Sequence, residues 1–260
     1  MSPFDIPDVR RLVSDDELEI DTYGDAGQKT ILYVIISDTD DTYAFLPAIL
    51  FTQMFNVLCY KADKKMGGKL ATPVQFILDE FAQFIIPKFK VLIATIRSRQ
   101  ISAILILQTQ SQLKDNYDKA AETIIGNCDT TIFLGGKEKS TLEEYEKSLG
   151  DETIDTFNES KTYSQNESVG INSQKLGRKL MSYYQLKTLN RNKCIVELSG
   201  IPPFLSDKYP TASHPNFKYL ADADERNRFD FKKYWARQKK KEADHIGKLK
   251  RSDVYKMYSV

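Results

Sequence analysis

Short apolar runs alternate along this chain with longer segments whose apolar positions recur at helical spacing. The stretch Val74–Phe84 begins as a strand that is apolar at three successive positions, 76 to 78, and then turns to two adjacent carboxylates, Asp79 and Glu80. Runs that are apolar on both faces are typical of buried strands in parallel sheets. We therefore predict a central strand here that ends in acidic side chains.

The same patterns predict further strands and helices in regular alternation. The predicted strands are Thr30–Ser37, Ser102–Leu107, Cys128–Leu134 and Lys193–Ser199, and the predicted helices are Tyr43–Lys64, Lys88–Arg99, Tyr117–Ile125, Ser140–Gly150 and Leu180–Leu189. Alternation of this kind favours an α/β fold with a mostly parallel sheet, right-handed connections and helices on both faces.

Two segments depart from this alternation. Residues 153–175 are rich in Ser, Thr, Asn and Gln, and we predict a mobile surface loop or a ragged hairpin there. From Ala221 a charged helix is predicted to lead into a basic tail. The expected organisation is therefore one α/β domain over residues 1–220, followed by the charged helix and tail over 221–260.

Charge is distributed unevenly, although the formal net charge is only +1. Residues 231–260 hold ten Lys or Arg against three acids, which gives +7, whereas residues 1–230 hold 27 against 33, which gives −6. A basic tail on an acidic body indicates an anionic partner, either nucleic acid or a membrane surface. A solvated helix end explains the tail equally well.

Cysteine, histidine and hydropathy patterns exclude several classes of protein. Cys59, Cys128 and Cys194 are far apart and lie mostly among apolar residues, which is typical of reduced core thiols in a cytoplasmic protein. His214 and His245 are too isolated to predict a metal site. No uninterrupted apolar run reaches the roughly 18 residues of a spanning helix, so we expect this chain alone to be soluble.

The acids after the central strand suggest nucleotide chemistry. Open α/β sheets bind ligands at the carboxyl ends of their strands, and a strand ending in two acids is the Walker B layout of nucleotide-hydrolysing motors. Asp79 would hold Mg²⁺ through its water shell, and Glu80 would orient and deprotonate the attacking water. The alternative, that the two acids only cap the next helix, stays open on this short run alone.

Other polar residues could complete such a site. Gln108 follows the next predicted strand, where motor ATPases place a glutamine that senses the γ-phosphate; alternatively it is a loop amide that satisfies backbone groups. Arg97 and Arg99 could act on a neighbouring subunit's phosphates as arginine fingers. The alternative for at least one of them is a cation favoured by a helix C-terminus.

A phosphate-binding loop of the form G-x-x-x-x-G-K-[ST] is not present in the sequence. Residues 24–30 come near it, but Gln28 is inserted before the lysine and the segment precedes a strand instead of following one. Residues 135–140 have the right context, but Glu138 stands where phosphate needs an N–H group and no negative charge. We reject both as Walker A loops.

Taken together, these segments resemble the conjugative coupling proteins of type IV secretion, the TraG/TraD-like group of Gram-positive mobile elements. The resemblance covers roughly residues 3–220 and lies in PFDIPDVRRLVSDDELEID, LYVIISDTDDTYAFL, TQMFNVLCYKAD, FILDEFAQF, IPKFKVLIATIRSRQISAILILQTQSQLKDNY, TIIGNCDTTIFLGGKEKSTLEE, LGDETID and PPFLSDKY. It implies a RecA-like P-loop NTPase sheet that is incomplete at the N-terminus, because the Walker A strand and loop have no counterpart here.

The resemblance also implies a function. Members of the family are hexameric ATPases that use ATP and Mg²⁺ and are anchored at the cytoplasmic face of the cell membrane, through a segment without a counterpart here. They couple the relaxase, its accessory protein and single-stranded DNA to the type IV secretion channel. Asp79 and Glu80 take the Walker B positions and Gln108 the following motif. Where the family reads DEFAN followed by Gly, this chain has Gln83 and Phe84, which puts the following loop in doubt.

Two readings of the function follow. In the first, the chain is part of a coupling-protein ATPase; alone it should bind ATP poorly, and a gap should lie beside the Gln108 strand where the Walker A strand belongs. In the second, it is a non-enzymatic adapter, or a truncated remnant, that binds DNA or relaxosome proteins through the basic tail. Salt-sensitive binding that depends on residues 231–260 would favour the second reading.

Overall fold

The structure, a computed structural model, describes residues 3–14, 16, 18–27, 29–37, 42–162, 168–230, 232–234 and 236–237. The chain divides into two compact units, residues 1–206 and residues 207–260. The functional boundary predicted near residue 220 stays a prediction.

Helices and strands alternate through most of the first unit. The helices are α1 (Pro7–Leu12), α2 (Phe45–Lys65), α3 (Phe89–Thr95), α4 (Gln110–Tyr117), α5 (Ala120–Gly126), α6 (Lys139–Leu149) and α7 (Tyr183–Lys187). The strands are β1 (Val74–Leu78), β2 (Ile101–Leu105), β3 (Thr130–Phe133), β4 (Asp151–Thr162), β5 (Ser168–Lys179), β6 (Lys193–Leu198) and β7 (Ile201–Asp207). Short 3₁₀ turns join several of them.

The larger hydrophobic core lies between a parallel strand pair and the helices on one side of it. β1 and β2 pair in parallel, from Val74 opposite Ile101 to Leu78 opposite Leu105. The buried positions of α2 follow the spacing of a helix face, and Phe55, Leu58 and Ala62 are fully buried. They pack in one cluster with the inward side chains of β1 and with α3, α4 and α5.

A second, smaller core belongs to another sheet. β3 lies antiparallel to β6, with Phe133 opposite Ile195, and β7 continues that sheet. The fully buried Leu142 of α6 and Leu186 of α7 pack in the same cluster as Phe133 and Ile195. The predicted α/β class is thus present, but antiparallel pairing accompanies the parallel pair.

The prediction of a buried strand at Thr30–Ser37 is wrong. The described segment 29–37 is extended without strand pairing. Its apolar side chains alternate: Leu32, Val34 and Ile36 pack against the larger core, whereas Ile31, Tyr33 and Ile35 are exposed. An apolar run predicts a buried strand only if both faces are covered, and here only one face is.

The outer side of the parallel pair is also open. Ile77 of β1 and Ile104 of β2 point away from the core, as does Ile106 after β2. These three exposed side chains form what we call the apolar sheet face, which consists of Ile77, Ile104 and Ile106. Helices on both faces were predicted; in the described residues this face carries exposed apolar side chains instead.

Local boundaries differ from the predictions in three places. A helix was predicted only from Tyr117 onward, but Gln110–Tyr117 already forms α4, and α5 follows at Ala120. Helix α6 is capped by the Glu138 side chain, not by Ser140 as predicted. β7 was not predicted, because it contains two prolines that ordinarily argue against a strand.

The polar stretch predicted as a loop or ragged hairpin is a regular hairpin. β4 and β5 pair over their whole length, from Asp151 opposite Lys179 to Thr162 opposite Ser168. Ion pairs join the strands at the base, between Arg178 and Glu152 at 2.8 Å and between Lys179 and Asp151 at 3.2 Å. Residues 163–167 lie outside the described residues.

Between residues 208 and 230 the second unit consists of turns, extended segments and short 3₁₀ segments. The prediction of a charged helix from Ala221 is wrong for residues 221–230, which hold only the 3₁₀ turn Glu225–Asn227. Of the basic tail predicted over 231–260, only residues 232–234 and 236–237 are described, and they are helical. The rest of the tail lies outside the described residues.

Helix α2 has the length and composition of a membrane-spanning helix. It has 21 residues and a window of mean hydropathy 1.2, of which 33% is buried. The sequence prediction considered only uninterrupted apolar runs, and α2 meets the criterion by its length and average composition although polar residues interrupt it. Core helices of soluble proteins share these properties, and α2 contributes to the larger core; solubility of the chain stays a prediction.

Candidate active site

Asp79 and Glu80 stand directly after β1, where the chain leaves the sheet in a tight turn. Glu80 has φ 49° and ψ 44°, in the left-handed region that residues with side chains rarely adopt. The Asp79 Oδ1 atom accepts the Glu80 backbone N–H at 3.0 Å. Strained backbone of this kind persists where its surroundings hold it and clusters at functional sites. Phe81, the next residue, is fully buried and anchors the turn.

Gln108 lies beside Glu80, because β1 and β2 are parallel and end at the same edge of their sheet. Its Nε2 atom donates to Glu80 Oε1 at 3.2 Å. Gln83 donates to the other carboxylate oxygen, Oε2. Two amide groups therefore fix the orientation of the Glu80 carboxylate. The structure brings together the predicted acid and the predicted glutamine, and it adds Gln83.

Helix α4 supports this turn from behind. The ring of Phe81 stacks on that of Tyr117, with centroids 5.6 Å apart and planes 11° apart. The Tyr117 hydroxyl accepts the Ile86 N–H at 2.9 Å, and burial raises the pKa of Tyr117 to about 12. Asn116 donates from its side chain to the Ala82 carbonyl. The segment after Glu80 is thus held by side chains from the end of α4.

A polar cleft of about 180 Å³ opens beside Glu80. It is lined by Glu80, Ala82, Gln83, Gln108, Gln112, Asp115 and Asn116. This lining includes two carboxylates and no lysine or arginine. The volume is below the roughly 300–1,000 Å³ of small-molecule sites, so the cleft has room for water or a hydrated cation and does not by itself enclose a nucleotide.

Sequence reasoning missed the contribution of α4 to this cleft. Gln112, Asp115 and Asn116 are spaced at i, i+3 and i+4, the spacing of one helix face. That signal was available, but no helix was predicted between Gln108 and Tyr117. Once the segment is known to be helical, the spacing places these three residues on one face of α4, and that face lines the cleft.

The donor chemistry at Asp79 fits Mg²⁺. Magnesium prefers hard carboxylate oxygens and keeps several of its waters. Asp79 is exposed, and the hydrogen bond from Glu80 N–H occupies only Oδ1, so the carboxylate can accept hydrogen bonds from a hydrated ion. The phosphates of ATP fit less well, because the cleft lining offers them carboxylates and no cation.

Neither of the rejected glycine loops offers phosphate a place. The Glu138 carboxylate accepts the N–H groups of Ser140 at 3.1 Å and Thr141 at 2.8 Å. Hydrogen bonds from Thr141 and Ser140 lower the pKa of Glu138 to about 2. The N-terminus of α6 is therefore already occupied by an anion of the chain itself.

The other glycine loop, at residues 24–30, has a structural role. Lys61 is buried, and its Nζ atom donates to the Tyr23 carbonyl at 3.0 Å and pairs with Asp25 at 2.7 Å. Thr72 Oγ1 donates to the Asp25 carbonyl at 2.6 Å. Gly24 has φ 81°, and its position is packed against the side chain of Leu70. These contacts attach the loop to α2 and to the segment before β1.

Arg97 and Arg99 are not brought together with Glu80. They precede β2, whereas Gln108 follows it. They therefore lie at the amino end of the strand, opposite the carboxyl end that carries Gln108. Arg99 forms a two-fold hydrogen-bonded ion pair with Asp63, with both N–O distances 2.8 Å. That hydrogen bond lowers the pKa of Asp63 and raises the pKa of Arg99. Arg97 is exposed.

The described residues contain no cluster of three or more His, Cys, Asp or Glu side chains placed to bind a metal ion. The three cysteines are free thiols. Burial raises the pKa of Cys59 and of Cys128, which makes these thiols poor nucleophiles. The chemistry of this unit therefore centres on the edge formed by Asp79, Glu80 and Gln108.

Comparison with solved structures shows the class of fold. Among solved structures, the bacterial conjugative coupling protein TrwBdeltaN70, in its unbound monoclinic form, matches with TM-score 0.52 and 17% identity over 65% of this chain and 37% of that one. The plasmid coupling protein TrwB in complex with ADP and Mg²⁺ matches with TM-score 0.48 and 17% identity over 66% and 40%. The TrwBdeltaN70 match confirms a RecA-like α/β fold.

Sequence comparison then shows which family the chain is similar to. Residues 73–191 match the family model described as the TraM recognition site of TraD and TraG. VirD4 of Agrobacterium fabrum (strain C58 / ATCC 33970) is 28% identical over 184 residues, which are 68% of this chain and 26% of VirD4. Over the matched residues the chain is similar to type IV coupling proteins, in agreement with the predicted resemblance. It spans about a quarter of the length of VirD4.

Proposed function

We propose that this chain contributes the acid and amide side of the ATP-hydrolysing site of a conjugative coupling protein. The contact between Glu80 and Gln108 carries the proposal. A carboxylate and an amide meet there at the carboxyl edge of two parallel strands, where α/β folds perform ligand chemistry. The coupling protein would link the relaxase–DNA complex to a type IV secretion channel and help to drive single-stranded DNA transfer.

Each residue has a distinct part in this proposal. Asp79 holds a hydrated Mg²⁺, which supplies charge neutralisation at the phosphates when bound. Glu80 orients the attacking water and accepts its proton. Gln108 and Gln83 fix the Glu80 carboxylate through their amide groups, and Gln108 transmits changes at the carboxylate to α4, which begins two residues later.

Contacts to the phosphates would come from outside the described residues. The cleft has no cation in its lining, and Glu138 occupies the N–H groups of the one glycine loop that precedes a helix. We therefore expect the purified chain to bind ATP weakly and to hydrolyse none. Hydrolysis by the purified chain that disappears in Glu80→Gln would contradict this part of the proposal.

The partners follow from the family and are part of the proposal. The matched family model is described as a TraM recognition site, which supports contact with a relaxosome accessory protein in addition to the relaxase. A homo-hexamer at the cytoplasmic face of the membrane is the assembly implied for the complete coupling protein. Within it, Arg97 is the better candidate for an arginine finger, because Arg99 is already paired with Asp63.

The proposal can be tested by measuring the frequency of DNA transfer from donor cells in which transfer requires this gene. We expect Glu80→Gln to lower the transfer frequency at least 100-fold, since removal of a general base costs about 10² to 10⁴ in rate. Gln108→Ala should also lower it. Glu122→Gln on α5 and Gln75→Ala on β1 are matched controls, because both residues are exposed, and they should transfer within a few-fold of wild type.

The adapter reading has one observation in its favour, the absence of a cation from the lining of the cleft. It predicts a different result in the same assay. Glu80→Gln and Gln108→Ala would then transfer DNA as well as the wild type does, while deletion of residues 231–260 would abolish transfer.

A further inference from the structure

The second unit exposes aromatic side chains close to basic ones. Tyr219 is 65% exposed, Phe229 70% and Tyr234 45%. Single exposed apolar residues are ordinary, but a group of large ones marks an interaction surface. With three neighbouring cations they form what we call the aromatic–basic patch, which consists of Tyr219, Arg228, Phe229, Lys232, Lys233 and Tyr234.

Two contacts hold the patch together. The rings of Phe229 and Tyr234 lie 5.5 Å apart between centroids and are tilted by 49°. Asn227 donates from its side chain to the carbonyls of Lys218 at 2.8 Å and Leu220 at 3.2 Å. That pair of hydrogen bonds fixes the backbone on both sides of Tyr219 beside the segment that leads into Phe229.

Positive charge is concentrated in the C-terminal part of the patch, because Asp222, Asp224 and Glu225 lie between Tyr219 and Arg228. Residues 228–237 contain four Lys or Arg against one acid, Asp230. Lys233 pairs with Asp230 at 3.5 Å, in an exposed ion pair. Among the described residues, Arg228 and Lys232 form no ion pair with a carboxylate. The sequence beyond residue 237 adds seven Lys or Arg against three acids.

We propose that the aromatic–basic patch binds single-stranded nucleic acid, with unpaired bases on Phe229, Tyr234 and Tyr219 and phosphates on Arg228, Lys232 and Lys233. Proteins that hold single strands without sequence preference combine aromatic stacking platforms with cationic tracks. The patch deepens the proposed function, because it gives a transferred strand a docking point outside the nucleotide site.

The aromatic residues select the kind of nucleic acid. Phosphate contacts alone bind duplex and single strand alike, but the flat ring of an exposed Phe or Tyr has a stacking partner only where bases are unpaired. A protein partner is the less favoured occupant, because residues 228–237, which hold all three cations of the patch, contain four Lys or Arg and one acid. Such a surface complements a uniformly anionic polymer.

The proposal is tested by fluorescence anisotropy, which measures the binding of labelled oligonucleotides to the full chain. The assay contains no nucleotide and no Mg²⁺. The probes are a 20-nucleotide oligo-dT, the matching oligo-rU and a 20-base-pair duplex. We expect F229A/Y234A to weaken oligo-dT binding about tenfold or more, since one stacked base is worth about 1–3 kcal/mol and 1.4 kcal/mol corresponds to tenfold. K232A/K233A should reduce the slope of log K against log salt by about 1.4, at about 0.7 per phosphate contact.

Matched variants separate stacking from general effects. F229Y/Y234F keeps both rings and should retain wild-type affinity, whereas F229L/Y234L keeps apolar bulk without the rings and should behave like F229A/Y234A. Y60A/Y184A removes two exposed tyrosines of the first unit and should not change binding. K64A/K65A, at the exposed end of α2, is the corresponding charge control.

The outcomes are distinct. Tighter binding of oligo-dT or of oligo-rU than of the duplex, lost with the rings, supports the proposal and shows which single strand the patch prefers. Duplex binding as tight as single-strand binding, or an F229A/Y234A variant with unchanged affinity, overturns it. Because the assay contains no nucleotide, failure here leaves the Glu80 proposal standing, and failure of Glu80→Gln to affect transfer leaves the patch standing.

Discussion

Glu138 shows how a single side chain can both exclude a ligand and stabilise a helix. Its carboxylate accepts N–H groups that a phosphate would otherwise bind, and hydrogen bonds from Thr141 and Ser140 hold its pKa at about 2. The folded-state pKa is thus below the ordinary value of 4.5. Stability that comes from this group is fully present above about pH 4.5 and is lost as the pH falls through about 2.

We therefore predict that α6 depends on pH through Glu138. Between pH 4.5 and 2 the melting temperature of the wild type should fall towards that of Glu138→Gln, because protonation abolishes the charged cap that the variant lacks at every pH. Thermal unfolding followed by circular dichroism between pH 4.5 and 2 measures the difference in melting temperature between the wild type and Glu138→Gln. Glu143→Gln, an exposed carboxylate on the same helix, controls for the loss of one acid. A gap between wild type and Glu138→Gln that stays constant down to pH 2 would disprove the assignment.

Residue types were easier to predict from the sequence than residue partners. Asp79, Glu80 and Gln108 could be predicted because they stand at the ends of apolar strands, where position alone indicates a shared edge. Gln83 was noticed only as a departure from the family, and its hydrogen bond to Glu80 depends on the left-handed turn at Glu80. The Asp63 partner of Arg99 comes from a distant helix, and no local pattern contains it.

At the scale of elements, α4 joins the candidate site to the second core. Its N-terminal residue Gln110 donates its backbone N–H to Thr141 Oγ1 at 3.1 Å, and Lys114 pairs with Glu144, both partners lying on α6. Its C-terminal residues hold the turn after Glu80. The helix that follows Gln108 therefore contacts both the Glu80 turn and the helix preceding the hairpin.

Three differences between the predicted and the observed elements have separate physical causes. Thr30–Ser37 has the composition of a strand but no neighbour to pair with among the described residues, and strand structure depends on pairing. β3 was predicted from its apolar residues, but its antiparallel partner β6 lies about sixty residues later, and composition does not encode direction. α4 is rich in Gln and Ser, so its helical spacing was hidden by its polarity.

We predict that the outer part of the β4–β5 hairpin can be removed without destabilising the first unit. Two-stranded ribbons are marginally stable alone, and the base of this one is held by exposed ion pairs, each worth about 0–1 kcal/mol. Replacing residues 157–173 by Asn-Gly joins Thr156 to Gln174, which face each other in the register. We expect the free energy of unfolding of the first unit to change by less than about 0.5 kcal/mol.

Urea unfolding of the shortened chain measures that change. Ile124→Ala serves as the opposite control, since Ile124 is fully buried in the larger core and its truncation should cost about 2–5 kcal/mol. A loss of comparable size on shortening the hairpin would mean that its outer half packs on the rest of the unit.

For the whole molecule, the division of the sheet is the most consequential feature. Among the described strands β2 pairs only with β1, while β3 belongs to the sheet of β6 and β7. The open edge predicted beside the Gln108 strand is therefore present. Parallel strands ordinarily have both faces covered, yet the apolar sheet face is exposed here along the same strands. Among the described residues, the unpaired edge of β2 and the apolar sheet face together form an uncovered apolar surface.

We predict that this surface makes the isolated chain associate. The double variant Ile77→Thr and Ile104→Thr replaces side chains that are 64% and 44% exposed, and it should lower binding of the hydrophobic dye ANS and self-association in sedimentation velocity. The free energy of unfolding should change by only about 0.5 kcal/mol, as for other exposed substitutions. Ile49→Thr with Ile85→Thr removes two exposed isoleucines outside the face and should leave association unchanged. A wild type that stays monomeric, binds no dye and unfolds in one cooperative step would contradict the prediction. The exposed apolar side chains of the parallel pair should promote both association and dye binding.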